Sequence, residues 1–131
     1  MDIVTVQHLY KTFGKGESAV HALNGIDLAI EKGKFTAVIG ASGSGKTTLL
    51  NILAALDRPT GGKVFLNGKD LSGVPDRDLA AFRRENLGFV FQDFNLLDNF
   101  SIRDNIFLPL VLAGKGYGEM EQRLQEIAGR L

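Results

Sequence analysis

The chain has 131 residues, of which 44% are hydrophobic and 23% charged, as is ordinary for one globular domain. Lys and Arg together number 15, and Asp and Glu together also number 15, so the formal net charge is zero. This balance argues against a nucleic-acid binder that relies on global positive charge. The absence of cysteine excludes disulfides, thiolate metal sites and cysteine nucleophiles.

No segment of the sequence predicts a membrane span. The longest apolar stretch, residues 106–113, is interrupted by Pro109 and falls far short of the roughly 20 residues that a transmembrane helix needs. The first four residues lack the basic and apolar pattern of a signal peptide. Any work at a membrane is therefore expected to go through a partner protein.

Two strands are predicted in the first third of the chain. Ile26, Leu28 and Ile30 alternate with less apolar residues, which predicts a strand with one wet face. After a turn at 31–34, the nearly continuous apolar run at 35–39 is typical of a strand buried on both faces.

A helix is predicted after the Gly/Ser-rich segment that follows. Its apolar residues recur at the i, i+3, i+4, i+7 spacing of one helical face, at Leu49, Ile52, Leu53 and Leu56. Turn residues at 57–62 end it. Residues 63–66 then predict a strand closed by an Asn67-Gly68 turn.

The rest of the chain predicts three short helices and one more strand. A helix over about 76–85 should place Arg83 and Arg84 on a solvated face, and residues 88–91 form a short apolar strand. Ser101 and Asp104 resemble a capping box, opening a helix that Pro109 should bend or end. One face of the last helix carries Met120, Leu124, Ile127 and Leu131. Because strands and helices alternate, the class is α/β.

Between the buried strand and the first helix lies a phosphate-loop motif. The pattern G-x-x-x-x-G-K-[ST] is matched at every fixed position, by Gly40-Ala41-Ser42-Gly43-Ser44-Gly45-Lys46-Thr47. The glycines let backbone N–H groups point at phosphate oxygens, and the helix start adds its positive dipole end. Lys46 offers an ammonium to the β- and γ-phosphates, and Thr47 offers a hydroxyl to Mg²⁺. A chance match in a flexible Gly/Ser loop is the alternative, which the flanking strand and helix disfavour.

The residues around this loop resemble the ABC-transporter ATPase family. The resemblance rests on "GASGSGKTTLLNILAAL" from Gly40, on "DRPTGGKVFLNGKDL" after it, and on "FRRENLGFVFQDFNLLDNFSIRDNIFLPL" from Phe82. Within the family, "LGFVFQDFNLLD" and "DNIFLPL" look like the lipoprotein-release and macrolide-export branch. The nearest resemblance is to bacitracin-export ATPases, which are linked to antimicrobial-peptide resistance.

The resemblance implies roles for residues at matching positions. The phosphate loop and Thr48 would bind ATP. Gln92 falls at the Q-loop position, so it would ligate Mg²⁺ together with Thr47, help place the attacking water and report the γ-phosphate to the permease. Phe13 occupies the position of the aromatic that stacks on adenine, although a core Phe is the alternative and Tyr10 is a rival stacker.

The resemblance also implies partners. The region after Gln92 would meet the permease's coupling helix, through Phe94, Leu96, Leu97 and Phe100, for each of which local core is an equal alternative. A second ATPase subunit would join in a head-to-tail dimer at the inner face of the cell membrane. No nucleic-acid partner and no direct membrane insertion are expected.

The sequence departs from the family by what it does not contain. No apolar run ending in Asp-Glu follows Gln92, and no LSGGQ-like signature, D-loop or switch histidine is present. We therefore expect a P-loop NTPase core of ABC ATPase type, truncated before the signature and Walker B segments. Its expected divisions are the start of a small antiparallel β subdomain (1–34), a P-loop core (35–92), and the Q-loop with the start of a helical subdomain (93–131).

The expected function is that of the ATP-binding subunit of an ABC transporter that exports or extracts an amphiphilic substrate such as a peptide or lipid-linked molecule. The 131 residues alone are expected not to hydrolyse ATP, since the water-orienting carboxylate and the opposing signature are missing. A P-loop kinase or GTPase is one alternative, although the N-K-x-D motif of GTPases is absent. A non-hydrolytic nucleotide-binding fragment or regulatory module is another.

Overall fold

The computed structural model describes residues 1–93 and 95–131. The chain divides into two compact units, Met1–Leu87 and Gly88–Leu131.

The first unit is built on a four-stranded antiparallel sheet in the order β2-β1-β3-β4. Strand β1 (Asp2–Phe13) pairs with β2 (Val20–Glu31) on one side and with β3 (Gly61–Leu66) on the other. The short strand β4 (Lys69–Asp70) pairs with β3. The alternation predicted for β2 is confirmed, because its apolar residues from Ile26 to Ile30 are half-buried while the intervening residues are exposed.

The turn between β3 and β4 forms where the sequence predicts it. Asn67 and Gly68 have φ of 51° and 79°, and positive φ at both central residues is what a two-residue hairpin turn of the favoured twist requires. Next to it, the backbone N–H and the hydroxyl of Ser72 both donate to Asp70 at 2.9 and 2.7 Å, and these bonds hold the pKa of that carboxyl below its usual range.

Two helices complete the first unit, α1 (Lys46–Leu53) and α2 (Asp76–Asn86). Helix α2 confirms the expectation for 76–85. The predicted face of α1 is confirmed at Leu49 and Ile52, which are buried. It is wrong at Leu56, because Ala55 adopts a left-handed φ of 56° and the helix has already ended.

The core of this unit joins the sheet to both helices. Leu9, Ile52 and Val6 are its most deeply buried side chains, and full burial of such a side chain stabilises a fold by about 1.5–3 kcal/mol. The remaining core comes from β2, β3, both helices and the segment before α2, and includes Leu23, Leu49, Val64, Leu66, Leu71, Val74 and Phe82.

The strand predicted at 35–39 is not formed. These residues have no strand conformation, and the side chains of Phe35 and Ile39 are 98% and 89% exposed. A strand exists through backbone hydrogen bonds to a neighbour, and none of the described residues pairs with this run. The apolar composition of residues 35–39 indicates side chains suited to burial, but a strand forms only where another strand lies beside it to pair with.

Arg83 corrects a second expectation. Its guanidinium Nη1 donates to the backbone oxygen of Ala55 at 2.8 Å, so it binds a carbonyl just past the end of α1 rather than lining a solvated face. Arg84 is exposed, as expected.

The second unit contains α3 (Ile102–Leu112) and α4 (Tyr117–Ala128). Ser101 caps α3 by accepting a bond from the N–H of Asp104 at 3.0 Å, which confirms the capping prediction. Pro109 does not end the helix, which runs on to Leu112. Proline has a helical φ, so the helix can continue past it, although it lacks one N–H donor and its ring crowds the carbonyl four residues earlier.

Side chains tie α3 to α4. Phe107 is buried and meets the ring of Tyr117 edge-on at 6.2 Å between centroids. Arg103 donates to Glu121 at 2.8 Å, and that carboxylate raises the pKa of the guanidinium. Met120 is buried as predicted, whereas Ile127 is 60% exposed and Leu131 lies beyond the helix.

The strand predicted at 88–91 is not formed either. Val90 is 97% exposed, and the rings of Phe89 and Phe91 contact each other at 4.4 Å between centroids. As at 35–39, no described residue offers these backbone groups a paired strand. Across the described ranges, none of the helices is both long enough and apolar enough to cross a bilayer.

Candidate functional site

The phosphate-loop motif forms a turn that leads directly into α1. Gly45 is the N-cap of that helix and Lys46 is its first residue. The Lys46 ammonium curls back over the loop and donates to the backbone oxygens of Gly40 and Ala41 at 2.7 and 2.6 Å, and to the Ser44 hydroxyl at 3.3 Å. The positive charge is therefore held above the loop, beside the positive end of the helix.

The backbone of the loop requires its glycines. Gly43 and Gly45 have φ of 80° and 95°, a region that residues with a Cβ rarely adopt. The Ser44 N–H donates to the oxygen of Ala41 at 3.2 Å, and residues 40–44 are exposed. Helix N-termini and curled backbone amides of this kind bind anions.

The end of the β1–β2 hairpin lies against this loop. A Cβ on Gly45 would stand 2.6 Å from the backbone oxygen of Ala22 in β2. Two residues before Ala22, Val20 pairs across the hairpin with Phe13. The sheet therefore brings Phe13, a residue far from the motif in sequence, to the end of the hairpin that adjoins the phosphate loop.

Phe13 and Tyr10 occupy different surroundings. Both residues are 44% exposed. The Tyr10 hydroxyl would be 3.1 Å from a Cβ on Gly25, so its ring packs over that glycine of β2. Phe13 instead has the ammonium of Lys11 over its ring, 5.0 Å from the centroid. Nothing in the sequence around Lys11 distinguishes it from a surface lysine, so its place at the site was not predictable.

Thr47, for which the sequence predicts a role as magnesium ligand, lies at the phosphate loop. Its side chain is exposed in the first turn of α1, while Thr48 is half-buried. Within residues 1–93 and 95–131, no three His, Cys, Asp or Glu side chains cluster in a way that could hold a metal. Mg²⁺ commonly takes few protein ligands and keeps waters and substrate phosphates instead, so a single hydroxyl at the loop suits it.

The second unit holds the other predicted site residues. Gln92 is exposed in a bend after the 88–91 run. Leu96, Leu97 and Phe100 line a groove of about 290 Å³ together with residues of α3, namely Ile102, Asn105 and Ile106, and with Asp98. Phe94 lies outside the described residues.

Asn105 shapes that groove through its amide side chain. Its Oδ1 accepts from the N–H of Leu97 at 2.7 Å. Its Nδ2 donates to the oxygens of Leu97 and Ser101 at 3.2 and 3.0 Å. A single side chain thus fixes the segment before α3 to the helix itself.

Comparison with known proteins identifies the family. The family model described as ABC transporter matches residues 23–131. The ABC transporter ATP-binding protein YvcR of Bacillus subtilis is 50% identical over all of this chain and 51% of its own length. The bacitracin export ATP-binding protein BceA of Halalkalibacterium halodurans is 37% identical, over 100% of this chain and 52% of its own. The macrolide export protein MacB of Marinobacter nauticus is 43% identical, over 95% of this chain and 19% of its own.

A solved structure agrees with these relatives. The ATP-binding cassette MJ0796, as a dimer bound to ADP and Pi, superposes with a TM-score of 0.85 and 37% identity, covering 94% of this chain and 54% of that one. The α/β class and the antiparallel N-terminal sheet are thereby confirmed as those of an ABC cassette. The chain spans about half the length of YvcR, BceA and MJ0796. The phosphate loop, the family model and the cassette fold agree, and the chain therefore belongs to the ATP-binding proteins of the ABC transporter family.

Proposed function

We propose that this chain binds Mg-ATP and serves in the ATPase subunit of an ABC exporter. The observation that carries the proposal is the position of the Lys46 ammonium over the loop, 2.7 Å from the oxygen of Gly40 and at the N-terminus of α1. Fixed backbone donors, a helix dipole and one mobile cation in the same place suit a chain of phosphates. Residues 40–46, Thr47 and Thr48 would contact the nucleotide.

The base of the nucleotide would stack on Phe13. Phe13 is 44% exposed at the hairpin end that adjoins the loop, and the Lys11 ammonium lies over its ring, so the base would stack on the face away from that ammonium. Tyr10 is the weaker choice, because its ring packs over Gly25. A flat apolar ring held at a fixed place is a suitable platform for a planar base.

Hydrolysis would need more than the loop. Gln92 is proposed to ligate Mg²⁺ and to orient the attacking water in the complete subunit, as its place in the family motif implies. A second subunit would close over the γ-phosphate in a head-to-tail dimer, in keeping with the dimeric form in which MJ0796 was solved. When bound, Mg²⁺ would supply charge neutralisation between the β- and γ-phosphates.

The permease would dock on the groove beside α3. Its lining is mainly apolar and open, and Ile102 and Leu96 are 83% and 61% exposed. An apolar groove of this size accepts one face of a helix. The bonds from Asn105 to Leu97 and Ser101 hold the segment before α3 against the helix, which supports a groove that exists before the partner binds. The subunit would thus lie at the inner face of the cell membrane through its partner.

The transported substrate is proposed from the relatives alone. Bacitracin export and macrolide export are the activities named for BceA and MacB. Both cargoes are amphiphilic, so we propose export or extraction of an amphiphilic molecule, in the same class as antimicrobial peptides. A non-hydrolytic nucleotide-binding fragment or regulatory module is the second candidate, since the 131 residues carry the loop without an Asp-Glu carboxylate pair after an apolar run.

One pair of measurements separates the two candidates. Purified full-length subunit and the 131-residue chain are each titrated with ATP by calorimetry and assayed for phosphate release. The proposal expects Mg²⁺-dependent binding by both and turnover near 1 s⁻¹ in order of magnitude only by the full-length subunit. Binding without turnover in the full-length subunit would favour the regulatory module, and absence of binding in both would refute the proposal.

A further inference from the structure

Lys11 lies between the proposed base platform and the loop that follows α1. Its ammonium is over the ring of Phe13, 5.0 Å from the centroid. The same ammonium donates to the Asp57 carboxylate at 3.1 Å and to the backbone oxygen of Arg58 at 2.8 Å. The Lys11 side chain is only 14% exposed. A cation so little hydrated keeps its position through the groups that satisfy it.

The loop that holds Lys11 is itself fixed. Arg58 donates from Nη2 to the oxygen of Val74 at 2.6 Å and to Asp76 at 2.7 Å, and its N–H donates to Asp57 at 2.8 Å. A planar guanidinium that makes several bonds is a rigid anchor. The Asp57 carboxylate that faces Lys11 is therefore held in a fixed position by bonds that lead, through Arg58, to the start of α2.

The loop is also bound along β1 on both sides of Lys11. The N–H of Thr60 donates to the oxygen of Tyr10 at 2.8 Å, and the N–H of Thr12 donates to the Thr60 hydroxyl at 3.0 Å. Strand and loop thus run together up to the residue before Phe13. The aromatic ring stands at the end of this paired segment.

The cation defines one face of the ring. An ammonium within about 6 Å of a ring centroid is attracted to the ring's negative face. Since Lys11 lies against one face of Phe13, only the other face is left for a planar ligand. The ring is also restrained from rotating, because rotation would separate it from a charge that Asp57 holds in place.

We infer that Lys11 is a positioning residue for the nucleotide base, acting through Phe13. The inference rests on the proposed base-stacking role of that ring. Helix α1 begins at the phosphate loop, and Asp57 follows its end, so the Lys11–Asp57 pair connects the base platform to the helix that carries the phosphate site. The pair would set the distance between the two parts of the site.

The test compares a ligand that has a base with one that has none. In the full-length subunit, Lys11→Met should weaken ATP binding about threefold to tenfold, as loss of a partly desolvated cation–π contact would. It should leave the affinity for tripolyphosphate within about twofold, since the phosphate loop is untouched. Lys11→Arg keeps the charge and should restore ATP binding.

A matched control and a double mutant make the result specific. Lys69 lies over the ring of Phe82 at 5.5 Å, the same kind of contact away from the site, so Lys69→Met should change neither affinity. In a Phe13→Ala background, Lys11→Met should weaken ATP binding no further, because the ring through which it acts is gone. If Lys11→Met does not fold, Asp57→Asn provides the second measurement, with the same selective loss expected.

Three results would overturn the inference. Equal losses for ATP and tripolyphosphate would make Lys11 a purely structural residue and leave the proposed ATP site intact. An undiminished effect of Lys11→Met in the Phe13→Ala background would show that it does not act through the ring. Binding of neither ligand by the wild-type subunit would overturn the proposed function, and this inference with it.

Discussion

The backbone oxygen of Ala22 lies 2.6 Å from the point at which a Cβ on Gly45 would stand. Strand β2 and the phosphate loop therefore approach each other as closely as a glycine allows. This contact brings the hairpin end to the phosphate-loop motif, and it makes Gly45 necessary for two reasons, the close approach and a φ of 95°.

Gly45→Ala should lower the free energy of unfolding by about 3 kcal/mol, from strain at positive φ and from overpacking against β2. Gly43→Ala is the matched control, because its φ is 80° and nothing lies within 4 Å of its Cβ position. It should cost about 1 kcal/mol, from φ alone. Urea denaturation measures both, and equal losses would contradict the contact with Ala22.

Lys46→Ala should weaken ATP binding by about tenfold or more, about 1.4 kcal/mol. The backbone donors of the loop remain, but the charge held over Gly40 and Ala41 is lost. Lys32→Ala, in an exposed turn, serves as the control and should not alter affinity. Calorimetric titration of the full-length subunit measures both, and an unchanged affinity for Lys46→Ala would refute the phosphate role.

Gln92→Ala should reduce kcat by about tenfold or more while the dissociation constant for ATP stays nearly unchanged. The reason is that its proposed action is on Mg²⁺ and water, whereas the loop holds the phosphates. Gln122→Ala, on the exposed surface of α4, makes the same substitution away from the motif and serves as the control, with kcat expected to stay unchanged. Steady-state phosphate release beside equilibrium binding measures the difference, and normal turnover would end the assignment.

Asn105→Ala should release the segment before α3. The N–H of Leu97 loses its acceptor at 2.7 Å, so its hydrogen exchange should be faster by about tenfold. Asn86→Ala is the control, because Asn86 donates only to Phe82 of its own helix at 2.9 Å among the bonds described. Exchange followed by NMR at the Leu97 amide reads the outcome, and unchanged protection would mean that Asn105 does not hold the groove.

Ser72→Ala should raise the pKa of Asp70 toward its ordinary value, because the hydroxyl at 2.7 Å is the main cause of its lowering. A lowered pKa in the folded state means that the stability from this pair is present above the ordinary value, and is lost as pH falls through the lowered one. The variant should therefore lose part of the acid dependence of unfolding. NMR titration of the Asp70 carboxyl carbon tests it, and an unmoved pKa would contradict the assigned cause.

Features that depend on neighbouring residues in sequence were predictable. The turn at Asn67-Gly68, the Ser101 cap and helix α2 each follow from the residues that form them. The phosphate loop belongs to the same group, since its conformation is fixed by its own glycines and by the helix that starts within it. For such elements, local chemistry and final structure agree.

Features that depend on segments distant in sequence were not predictable. The runs at 35–39 and 88–91 have strand composition, but strand formation needs a partner that composition does not provide. Likewise, Lys11 and Asp57 are unremarkable in sequence, and only the approach of β1 to the end of α1 joins them. Arg83 was misjudged for the same reason, because its acceptor, Ala55, is distant in sequence.

The exposed apolar side chains affect how strongly the 131-residue chain self-associates in solution. Phe35, Ile39 and Val90 are almost fully exposed to solvent. Large apolar side chains left exposed to water can bind apolar dyes and other copies of the same molecule. Solutions of the chain should therefore increase the fluorescence of an anilinonaphthalene dye and scatter more light as the protein concentration rises. Nucleotide binding by this chain is accordingly best titrated at low protein concentration, where self-association does not interfere.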